Sequence, residues 1–473
     1  MKKELWINGE WVTTEAYQWL HNPYSGEQIA EIAIASSLDV DKAIQSAEDT
    51  NSIMKNMPAF QRSQILEKVS NLLADKKQEA ASILVQEASK PVSAALLEIE
   101  RTIQTYRFAA DEAKQLKGEV VPMDAAAGGV GRIGFTRREP LGVIGAISPF
   151  NFPFNLVAHK IGPAFAAGNT VVLKPASQTP LSAFFIAELF HEAGLPPGAL
   201  NVIAGNGSVI GDILVTDERV KMITFTGSPD VGKHIRARAG LKRVTLELGS
   251  NSALIVDRGV DIDKIIPRCI TGAFAFQGQV CISLQRAYVH QELLDSFVSQ
   301  LVSAANNLKG GDPADPETDY SALINSNEAQ RVCNWIKDAE SAGATVQIGG
   351  ERTGNIVTPT VLTNAPGGLK ISCQEVFGPV VVVYPFSKLD NALQQVNNSV
   401  YGLQAGIYTP FLDHALEAAE KLEVGGVMIN DIPTFRVDQM PYGGVKESGV
   451  GREGLKYAIE EMTEMKLIVI QKS

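Results

Sequence analysis

Lys221-Met-Ile-Thr-Phe-Thr-Gly-Ser-Pro-Asp-Val-Gly232 is the stretch that decides the fold, because it joins an apolar run to a helix start through a short turn. A strand is predicted to end at Phe225, Gly227 and Ser228 form the turn, and Pro229 suits the first position of a helix that runs on through Ala239. Free amides at such a helix start favour an anion such as pyrophosphate. Many strand–helix turns look the same, so an ordinary turn remains the alternative here.

Similar apolar runs recur on both sides of this stretch and alternate with helical segments. That alternation predicts βαβ units and a doubly wound parallel sheet. The runs of the first cycle are Leu141–Ser148, Thr170–Lys174, Leu200–Ala204, Lys221–Phe225 and Val244–Leu248. The runs of a second cycle are Ser252–Val256, Arg286–His290, Val380–Pro385 and Gly426–Ile429. The second cycle indicates a second α/β domain.

Two further regions complete the predicted organisation. From about Val40 to Lys117, apolar residues recur every three and four positions, which is typical of helices. Glu119–Arg138 resembles a Gly-rich hairpin, and the apolar strand Leu467–Ile470 would be an exposed edge in a monomer, so both are predicted to pair across a subunit interface. The predicted parts are a Rossmann-like cofactor domain (1–118 and 139–250), a catalytic α/β domain (251–440) and a small β oligomerisation segment (119–138 and 455–473).

A glycine pattern in the hairpin matches the dinucleotide-binding spacing but lacks its context. Gly129-Val-Gly131-Arg-Ile-Gly134 has the G-x-G-x-x-G spacing, which needs a strand before it and a helix after it. Alanines and a glycine precede it, and Phe135-Thr-Arg-Arg-Glu-Pro140 follows, which is not a helix start. We therefore interpret these glycines as turn residues.

Composition narrows the class of protein and its partners. The 473 residues are 45% hydrophobic and 20% charged, with a formal net charge of −11, which is typical of a globular, multidomain protein and disfavours nucleic acid and anionic lipid as partners. Leu141–Ala158 carries no charge, but its prolines and asparagines argue against a membrane span. The first residues lack the apolar core of a signal peptide, so a cytoplasmic location is expected.

The four cysteines predict free thiols and no metal site. Cys269, Cys281, Cys333 and Cys373 lack paired metal-ligand spacing. Sparse cysteines favour a reducing compartment, in which one thiol is a candidate nucleophile.

Two segments that follow predicted strands contain polar groups for a binding site. In Ser148-Pro-Phe-Asn-Phe-Pro-Phe154, the amide of Asn151 could donate to a developing oxyanion, or it could simply hold a turn. In Val171-Val-Leu-Lys-Pro-Ala-Ser177, Lys174 ends a strand where nucleotides bind in doubly wound sheets. Ordinary solvation at a strand end is the alternative for this lysine.

Two other segments contain candidates for a base and a nucleophile. In Thr245-Leu-Glu-Leu-Gly249, Glu247 lies between leucines in a buried strand, so it needs either an ion-pair partner or a raised pKa that suits a general base. In Phe276-Gln-Gly-Gln-Val-Cys281, small and polar residues lead into Cys281, where backbone amides could stabilise a thiolate, although most isolated cysteines are inert. Together the four segments offer a thiol nucleophile, a carboxylate base, an amide donor and a lysine for a nucleotide. No catalytic histidine is required for this set, whereas a thiol protease would need one.

In their order along the chain, these four segments resemble the signature motifs of the aldehyde dehydrogenase superfamily. Glu375-Val-Phe-Gly-Pro379 and Pro441-Tyr-Gly-Gly-Val-Lys-Glu-Ser-Gly449 add to the resemblance, which covers essentially the whole chain. Within the superfamily the chain looks closest to the lactaldehyde and semialdehyde dehydrogenase branches.

The resemblance implies NAD(P)-dependent oxidation of an aldehyde to a carboxylate. Cys281 would attack the aldehyde, Asn151 and the Cys281 backbone N–H would hold the oxyanion, and Glu247 would activate the water that hydrolyses the thioester. The residues implied to contact NADP or NAD are Ser148, Pro149, Phe150, Lys174, Ser177, Gly207, Phe225, Gly227, Ser228, Glu247, Leu248, Gly249, Glu375 and Phe377. Homodimers or homotetramers are also implied. The alternatives are a CoA-acylating or reductive relative, which would generally lack Glu247, and a catalytically silent scaffold.

Two features bear on the cofactor and the substrate. NAD-preferring members often carry a glutamate where this chain has Ser177, and serine leaves room for a 2′-phosphate, which favours NADP or dual use. Leu248-Gly-Ser250-Asn251 also replaces the commoner Leu-Gly-Gly-Lys, with no loss of chemistry expected.

The candidates for the aldehyde pocket are Phe152, Val280, Ile282 and Arg436, with His159 as a further possibility. Arg436 could clamp a carboxylate, sulfonate or phosphate, which predicts a small anionic or 2-hydroxy aldehyde, unless it forms a surface or interface salt bridge.

Overall fold

The helical region at the start of the chain folds into four helices, as a computed structural model that describes residues 2–472 shows. The first helix begins with a capping box, in which Ser36 and Asp39 each bond the other's backbone N–H. Pro58 and Pro91 interrupt the periodic pattern because proline cannot continue a helix that precedes it. The helices are Ser37–Asn56, Ala59–Asp75, Lys77–Ala88 and Val92–Ala113.

The first predicted cycle forms an eight-stranded sheet with a parallel centre. Its spatial order is Gly449–Val450, Arg243–Glu247, Val220–Thr226, Val143–Ile147, Thr170–Lys174, Leu200–Val202, Leu5–Ile7 and Glu10–Val12. The five central strands are parallel, and Val143–Ile147 lies between the strands that come second and fourth among them. Its carboxyl end is therefore the switch point at which doubly wound sheets bind ligands. The helices of this unit are Asn155–Ala167, Leu181–Ala193, Asp212–Thr216 and Pro229–Arg238.

The second cycle forms a seven-stranded sheet. Its spatial order is Thr345–Ile348, Thr360–Thr363, Val380–Phe386, Arg286–His290, Ala253–Val256, Gln404–Tyr408 and Gly426–Ile429. Six of these strands are parallel, and Thr345–Ile348 is an antiparallel edge. The surrounding helices are Ile262–Phe274, Leu294–Asn306, Ser326–Ser341, Lys370–Cys373, Leu389–Asn397 and Leu412–Lys421. The α/β class is thus confirmed.

A three-stranded sheet contains the glycine pattern that only looked like a dinucleotide motif. Arg132–Pro140 is its central strand and pairs along nine residues with the C-terminal strand Thr463–Gln471, while Val120–Val121 pairs on the other side. Gly131 has a φ of +79° and forms a turn that leads into a strand instead of a helix, as predicted. Gly129 ends a short 3-10 helix and Gly134 lies inside the strand, so the turn interpretation is wrong for these two glycines. The C-terminal strand therefore pairs within its own chain, and its exposed Met465, Leu467, Val469 and Ile470 leave the subunit interface a prediction.

Smaller elements complete the chain. The N-terminal strands Lys2–Lys3, Gln28–Ile34 and Ala16–His21 form one sheet, and the helix Leu455–Glu461 precedes the last strand. Two short pairs are Arg352–Thr353 with Ile356–Val357 and Tyr401–Gly402 with Val445–Lys446. Within residues 2–472, no helix is long and apolar enough to cross a membrane. The proposed division into domains stays a prediction.

One short link joins the two large sheets. Arg243–Glu247 is the outermost of the five parallel strands in the first sheet. The next strand along the chain, Ala253–Val256, begins a few residues later and is an inner strand of the second sheet. Leu248, Ser250 and Asn251 in this link are buried. Side chains at the end of the first strand consequently lie at the seam between the sheets.

Candidate active site

Cys281 follows a strained turn at this seam. After the helix Ile262–Phe274, the residues Phe276, Gln277 and Gly278 have left-handed φ values of 47°, 54° and 70°. A Cβ added at Gly278 would meet the carbonyl oxygen of Gly378 at 2.1 Å, so only glycine allows this approach. Such backbone strain concentrates at functional sites, where the surrounding structure holds it.

The thiol of Cys281 is half-buried and has one close polar neighbour. Its Sγ lies 2.9 Å from the hydroxyl of Tyr442. Burial raises the pKa of Cys281 to about 12, while the Tyr442 hydroxyl and the positive charge of Arg436 act in the opposite direction. The buried surroundings thus disfavour the thiolate, and the reactivity of the thiol depends on groups that stabilise the charged form.

The side-chain amide of Asn151 lies beside the Cys281 turn. Asn151 is buried in the loop that follows Val143–Ile147, and its Nδ2 donates to the carbonyl oxygen of Gln279 at 2.9 Å. The amide thus reaches from the first sheet to the segment that carries Cys281. This position allows it to donate to an oxygen on a carbon bound to Cys281.

A buried ion pair fixes the Asn151 loop. Lys90 pairs with Glu98 and also donates to the carbonyl oxygen of Asn151 at 2.7 Å. Glu98 accepts from the backbone N–H groups of Phe154 at 3.0 Å and Asn155 at 3.2 Å. The ammonium group of Lys90 additionally lies 3.9 Å from the ring centroid of Phe152. Because Lys90 and Glu98 each also bond the backbone of the loop, the ion pair holds the loop in place.

Glu247 is a buried carboxyl group at the end of its strand. Neither of its carboxyl oxygens has a hydrogen-bond partner among residues 2–472. Burial raises the pKa of Glu247 well above its usual value, and the negative charge of Glu453 adds to that effect. The alternative for Glu247 was a buried ion pair. The buried carboxylate that forms such pairs is Glu453, which contacts Lys160 at 3.2 Å and Arg436 at 3.0 Å.

The mouth of the Cys281 site is a cavity of about 220 Å³. Beside Cys281 it is lined by all four candidates for the aldehyde pocket, namely Phe152, Val280, Ile282 and Arg436. The other lining residues are Lys90, Ala94, Leu97, Glu98, Arg101, Asn155, Leu156, Ala275, Phe276, Thr434 and Tyr442. The volume suits a small substrate better than a drug-sized one.

Two arginine residues line this cavity. Arg436 is 7% exposed and pairs with Glu453, and its Nε has no partner within the described chain. Arg101 is 33% exposed and bonds Asp438 at 2.7 and 3.2 Å. His159 does not line the cavity and instead contacts Asp438 at 2.9 Å. Arg436 thus forms a salt bridge, as the alternative interpretation expected. The bridge is buried and not at the surface, and Arg436 lines the same cavity as Cys281.

A second cavity, of about 640 Å³, lies at the switch point of the first sheet. Of the predicted cofactor residues it is lined by Ser148, Lys174, Ser177, Gly207 and Phe225. Burial lowers the pKa of Lys174 to about 8. The wall formed by Val215, Val231 and Ile235 offers an apolar surface for an adenine ring.

Gly227 and Ser228 lead into the ten-residue helix Pro229–Arg238, whose open N-terminus suits pyrophosphate. The residues present thus fit a dinucleotide.

The remaining predicted cofactor residues include a cluster around Glu375 and Phe377, which contact the link between the sheets and the Asn151 loop. Glu375 accepts from the backbone N–H of Ser250 at 3.0 Å, and burial raises its pKa to about 7. A Cβ added at Gly249 would lie 2.8 Å from a carboxyl oxygen of Glu375. The rings of Phe150 and Phe377 meet edge to face at 5.7 Å. The buried Leu248 lies in the link and Pro149 in the loop before Asn151. Among residues 2–472, no group of acids, histidines or cysteines could hold a metal ion.

Comparison with known proteins identifies the family. The model of the aldehyde dehydrogenase family matches residues 11–468. The chain belongs to the aldehyde dehydrogenase family. It is an oxidoreductase that uses NADP or NAD, and the resemblance inferred from the sequence is confirmed.

Proteins similar to the chain include members of the predicted lactaldehyde branch. The chain is 46% identical to a 3-sulfolactaldehyde dehydrogenase of Priestia megaterium, over 98% of this chain and 97% of that protein. It is 39% identical to a lactaldehyde dehydrogenase of Methanococcus aeolicus, over 98% and 99%. A crystal structure of glyceraldehyde-3-phosphate dehydrogenase from Methanocaldococcus jannaschii complexed with NADP has a TM-score of 0.94 and 40% identity, over 97% of this chain and 100% of that one.

For this aldehyde dehydrogenase, sequence reasoning missed most residues that line the Cys281 cavity, among them Arg101, Lys90 and Tyr442. Arg101 and Lys90 look like ordinary charges near a helix, and nothing in their spacing separates them from solvated residues. Tyr442 lies in a motif that was recognised, but the motif gives no sign that its hydroxyl reaches Cys281. Only the packing of Val92–Ala113 and the C-terminal segment around the loop 150–156 brings these groups together.

Proposed function

We propose that this aldehyde dehydrogenase oxidises a small anionic aldehyde, in particular a three-carbon 2-hydroxy aldehyde, to the carboxylate through a thioester on Cys281. The observation that carries the proposal is the small cavity that Cys281 lines together with two arginine residues, Arg101 and Arg436. An arginine matches a carboxylate, sulfonate or phosphate bidentately. The substrates named for the three relatives share a 2-hydroxy-propanal unit, and two of them carry an anionic group, which supports this class.

The first half of the reaction needs a thiolate and a donor for the oxyanion. The Cys281 sulfur attacks the aldehyde carbon and forms a thiohemiacetal. Asn151 Nδ2 and the Cys281 backbone N–H hold the oxygen, and the present bond of that amide to Gln279 shows that it is oriented toward the Cys281 segment. Loss of the carbon-bound hydrogen of the thiohemiacetal as hydride leaves a thioester on Cys281, and a bound nicotinamide dinucleotide would supply the hydride acceptor. The dinucleotide is assigned to the 640 Å³ cavity, the helix start at Pro229 and the Glu375–Phe377 cluster.

The second half needs a base for water. Glu247 takes a proton from a water molecule that attacks the thioester carbonyl, and the Cys281 thiolate leaves. Its raised pKa suits this role because a stronger base removes the proton more easily. Lys160 and Arg436 keep Glu453 ionised, and its negative charge in turn raises the pKa of Glu247. A carboxylate free for water favours hydrolysis over acyl transfer to coenzyme A.

The variant Arg101→Met tests the substrate class. Asp438 would keep His159 at 2.9 Å and Asn155 at 3.0 Å, so the loss of Arg101 does not leave a bare buried charge. We expect KM for 3-sulfolactaldehyde and succinate semialdehyde to rise by about 10- to 100-fold, while KM for uncharged lactaldehyde changes by less than about threefold. Steady-state absorbance of the reduced cofactor measures both.

Arg436→Lys serves as the second arm, because it keeps the positive charge beside Glu453 but removes the planar fork. A rise in KM for the anionic aldehydes alone is expected there too. Equal changes for charged and uncharged aldehydes in both variants would contradict an anion-binding role.

Ser177 is proposed to allow the 2′-phosphate of NADP. It lines the cofactor cavity, and its hydroxyl donates to the carbonyl oxygen of Gly205 at 3.2 Å. In Ser177→Glu, a carboxylate would face the phosphate, so KM for NADP should rise by at least about tenfold, while KM for NAD should stay equal or fall. Steady-state kinetics with both cofactors measure this. Ser177→Ala is the control for loss of the hydroxyl, and an unchanged NADP preference in Ser177→Glu would place the ribose phosphate elsewhere.

A further inference from the structure

Tyr442 lies against the nucleophile and is held rigidly. Its hydroxyl oxygen is 2.9 Å from Cys281 Sγ, and the guanidinium carbon of Arg436 lies 3.7 Å from its ring centroid. Its backbone exchanges two hydrogen bonds with Glu453, at 3.0 and 2.7 Å. The side chain is buried. A group fixed on both its ring and its backbone presents the hydroxyl to the sulfur without a large entropic cost.

We propose that Tyr442 is a positioning residue for the reaction, whose hydroxyl donates to Cys281 Sγ and stabilises the thiolate facing the aldehyde cavity. The proposal rests on the proposed function, because it assumes that Cys281 is the nucleophile. In the step concerned, the Cys281 S–H bond breaks and its proton passes to solvent water, while Tyr442 keeps its own proton. The sulfur lone pair then forms the bond to the aldehyde carbon.

The charges around the sulfur explain why a neutral donor matters there. Arg436 favours the thiolate, but Glu375 and Glu247 disfavour it, and burial disfavours it most. The Tyr442 hydroxyl lies within hydrogen-bond distance of the sulfur, and burial raises its own pKa well above the usual value. The Tyr442 hydroxyl therefore keeps its proton near neutral pH and is available there as a donor. A hydrogen bond to an ionised acceptor is about twice as strong as one to a neutral acceptor, so the hydroxyl stabilises the thiolate more than the thiol.

The test is the pH dependence of Cys281 alkylation by iodoacetamide in the full-length enzyme. Peptide mass spectrometry is needed to follow Cys281 separately, because Cys373 is exposed and would react too. The variant is Tyr442→Phe, which keeps the ring beneath Arg436. Tyr106→Phe is the matched control, since Tyr106 is buried in Val92–Ala113 against Phe190, outside the cavity.

We expect the midpoint of the alkylation profile to rise by about one pH unit in Tyr442→Phe and to stay in place in Tyr106→Phe. Near neutral pH the alkylation rate should fall by about 3- to 10-fold, because a thiolate of higher pKa is scarcer but somewhat more nucleophilic. A merely structural role would lower activity without moving the midpoint. An unchanged or lower midpoint in Tyr442→Phe overturns the proposal. The nucleophile role is judged separately, by whether alkylation of Cys281 in the unmodified enzyme abolishes turnover.

Discussion

Cys281→Ala is expected to abolish aldehyde oxidation, with kcat lower by at least about 10,000-fold. The reason is that no other group in the cavity of about 220 Å³ can form the thioester, so the remaining donors have no covalent intermediate to stabilise. The assay is the absorbance of reduced cofactor with 3-sulfolactaldehyde and lactaldehyde. Cofactor binding, measured by fluorescence titration, should be retained because the dinucleotide cavity is lined by other residues.

Cys373→Ser is the matched control for this loss. Cys373 is exposed, and the one hydrogen bond of its thiol within the described residues is long, 3.9 Å from Sγ to the carbonyl oxygen of Gly368. Its replacement should leave kcat within about twofold, since surface changes away from a site are small in effect. Substantial oxidation of the same aldehydes by Cys281→Ala would contradict a thioester intermediate on Cys281.

Glu247→Gln should separate the two halves of the reaction. We expect steady-state kcat to fall by about 100- to 10,000-fold, because water loses its general base. The first turnover should still release about one equivalent of reduced cofactor per active site, since attack by Cys281 and hydride transfer do not need Glu247. Stopped-flow absorbance gives the amplitude of this burst and the slow phase that follows it.

The pH dependence supplies the second readout for Glu247. A base works only when it is deprotonated, and the pKa of Glu247 is raised by burial and by the charge of Glu453. In the unmodified enzyme, a kcat limited by hydrolysis should therefore increase as pH rises through that elevated pKa. In Glu247→Gln this increase should disappear. Loss of the burst together with the steady-state rate would instead assign Glu247 to acylation or to cofactor binding.

Nine of the fifteen strands in the two large sheets could be predicted, because buried parallel strands appear as uninterrupted apolar runs. Gly426–Ile429 was predicted to the residue, and Val143–Ile147 within two residues. The strand Gln404–Tyr408 was missed because its polar first residue and its glycine hide the apolar run. The antiparallel partner Gly449–Val450 of the Glu247 strand was also missed, because local patterns carry no information about pairing across roughly 200 residues.

The site was predictable to the extent that its residues lie in motifs next to strand ends. Cys281, Glu247 and Asn151 each follow or end a predicted element, but only the family resemblance separated them from an inert thiol, an ion pair and a turn residue. The ion pair proved to lie on Glu453, which the sequence did not single out. Arg101 and Tyr442 depend on how distant segments pack, so their contacts with the cavity and with the Cys281 sulfur became apparent only in the folded chain.

The most direct test of the account is the mass of Cys281 during turnover. Glu247→Gln enzyme, mixed with aldehyde and cofactor and quenched in acid within the first turnover, would be digested and analysed by peptide mass spectrometry. The account predicts that the peptide containing Cys281 gains the mass of the acyl group and loses it on treatment with hydroxylamine, which cleaves thioesters. An unmodified Cys281 peptide beside stoichiometric reduced cofactor, or the acyl group on another residue, would contradict it.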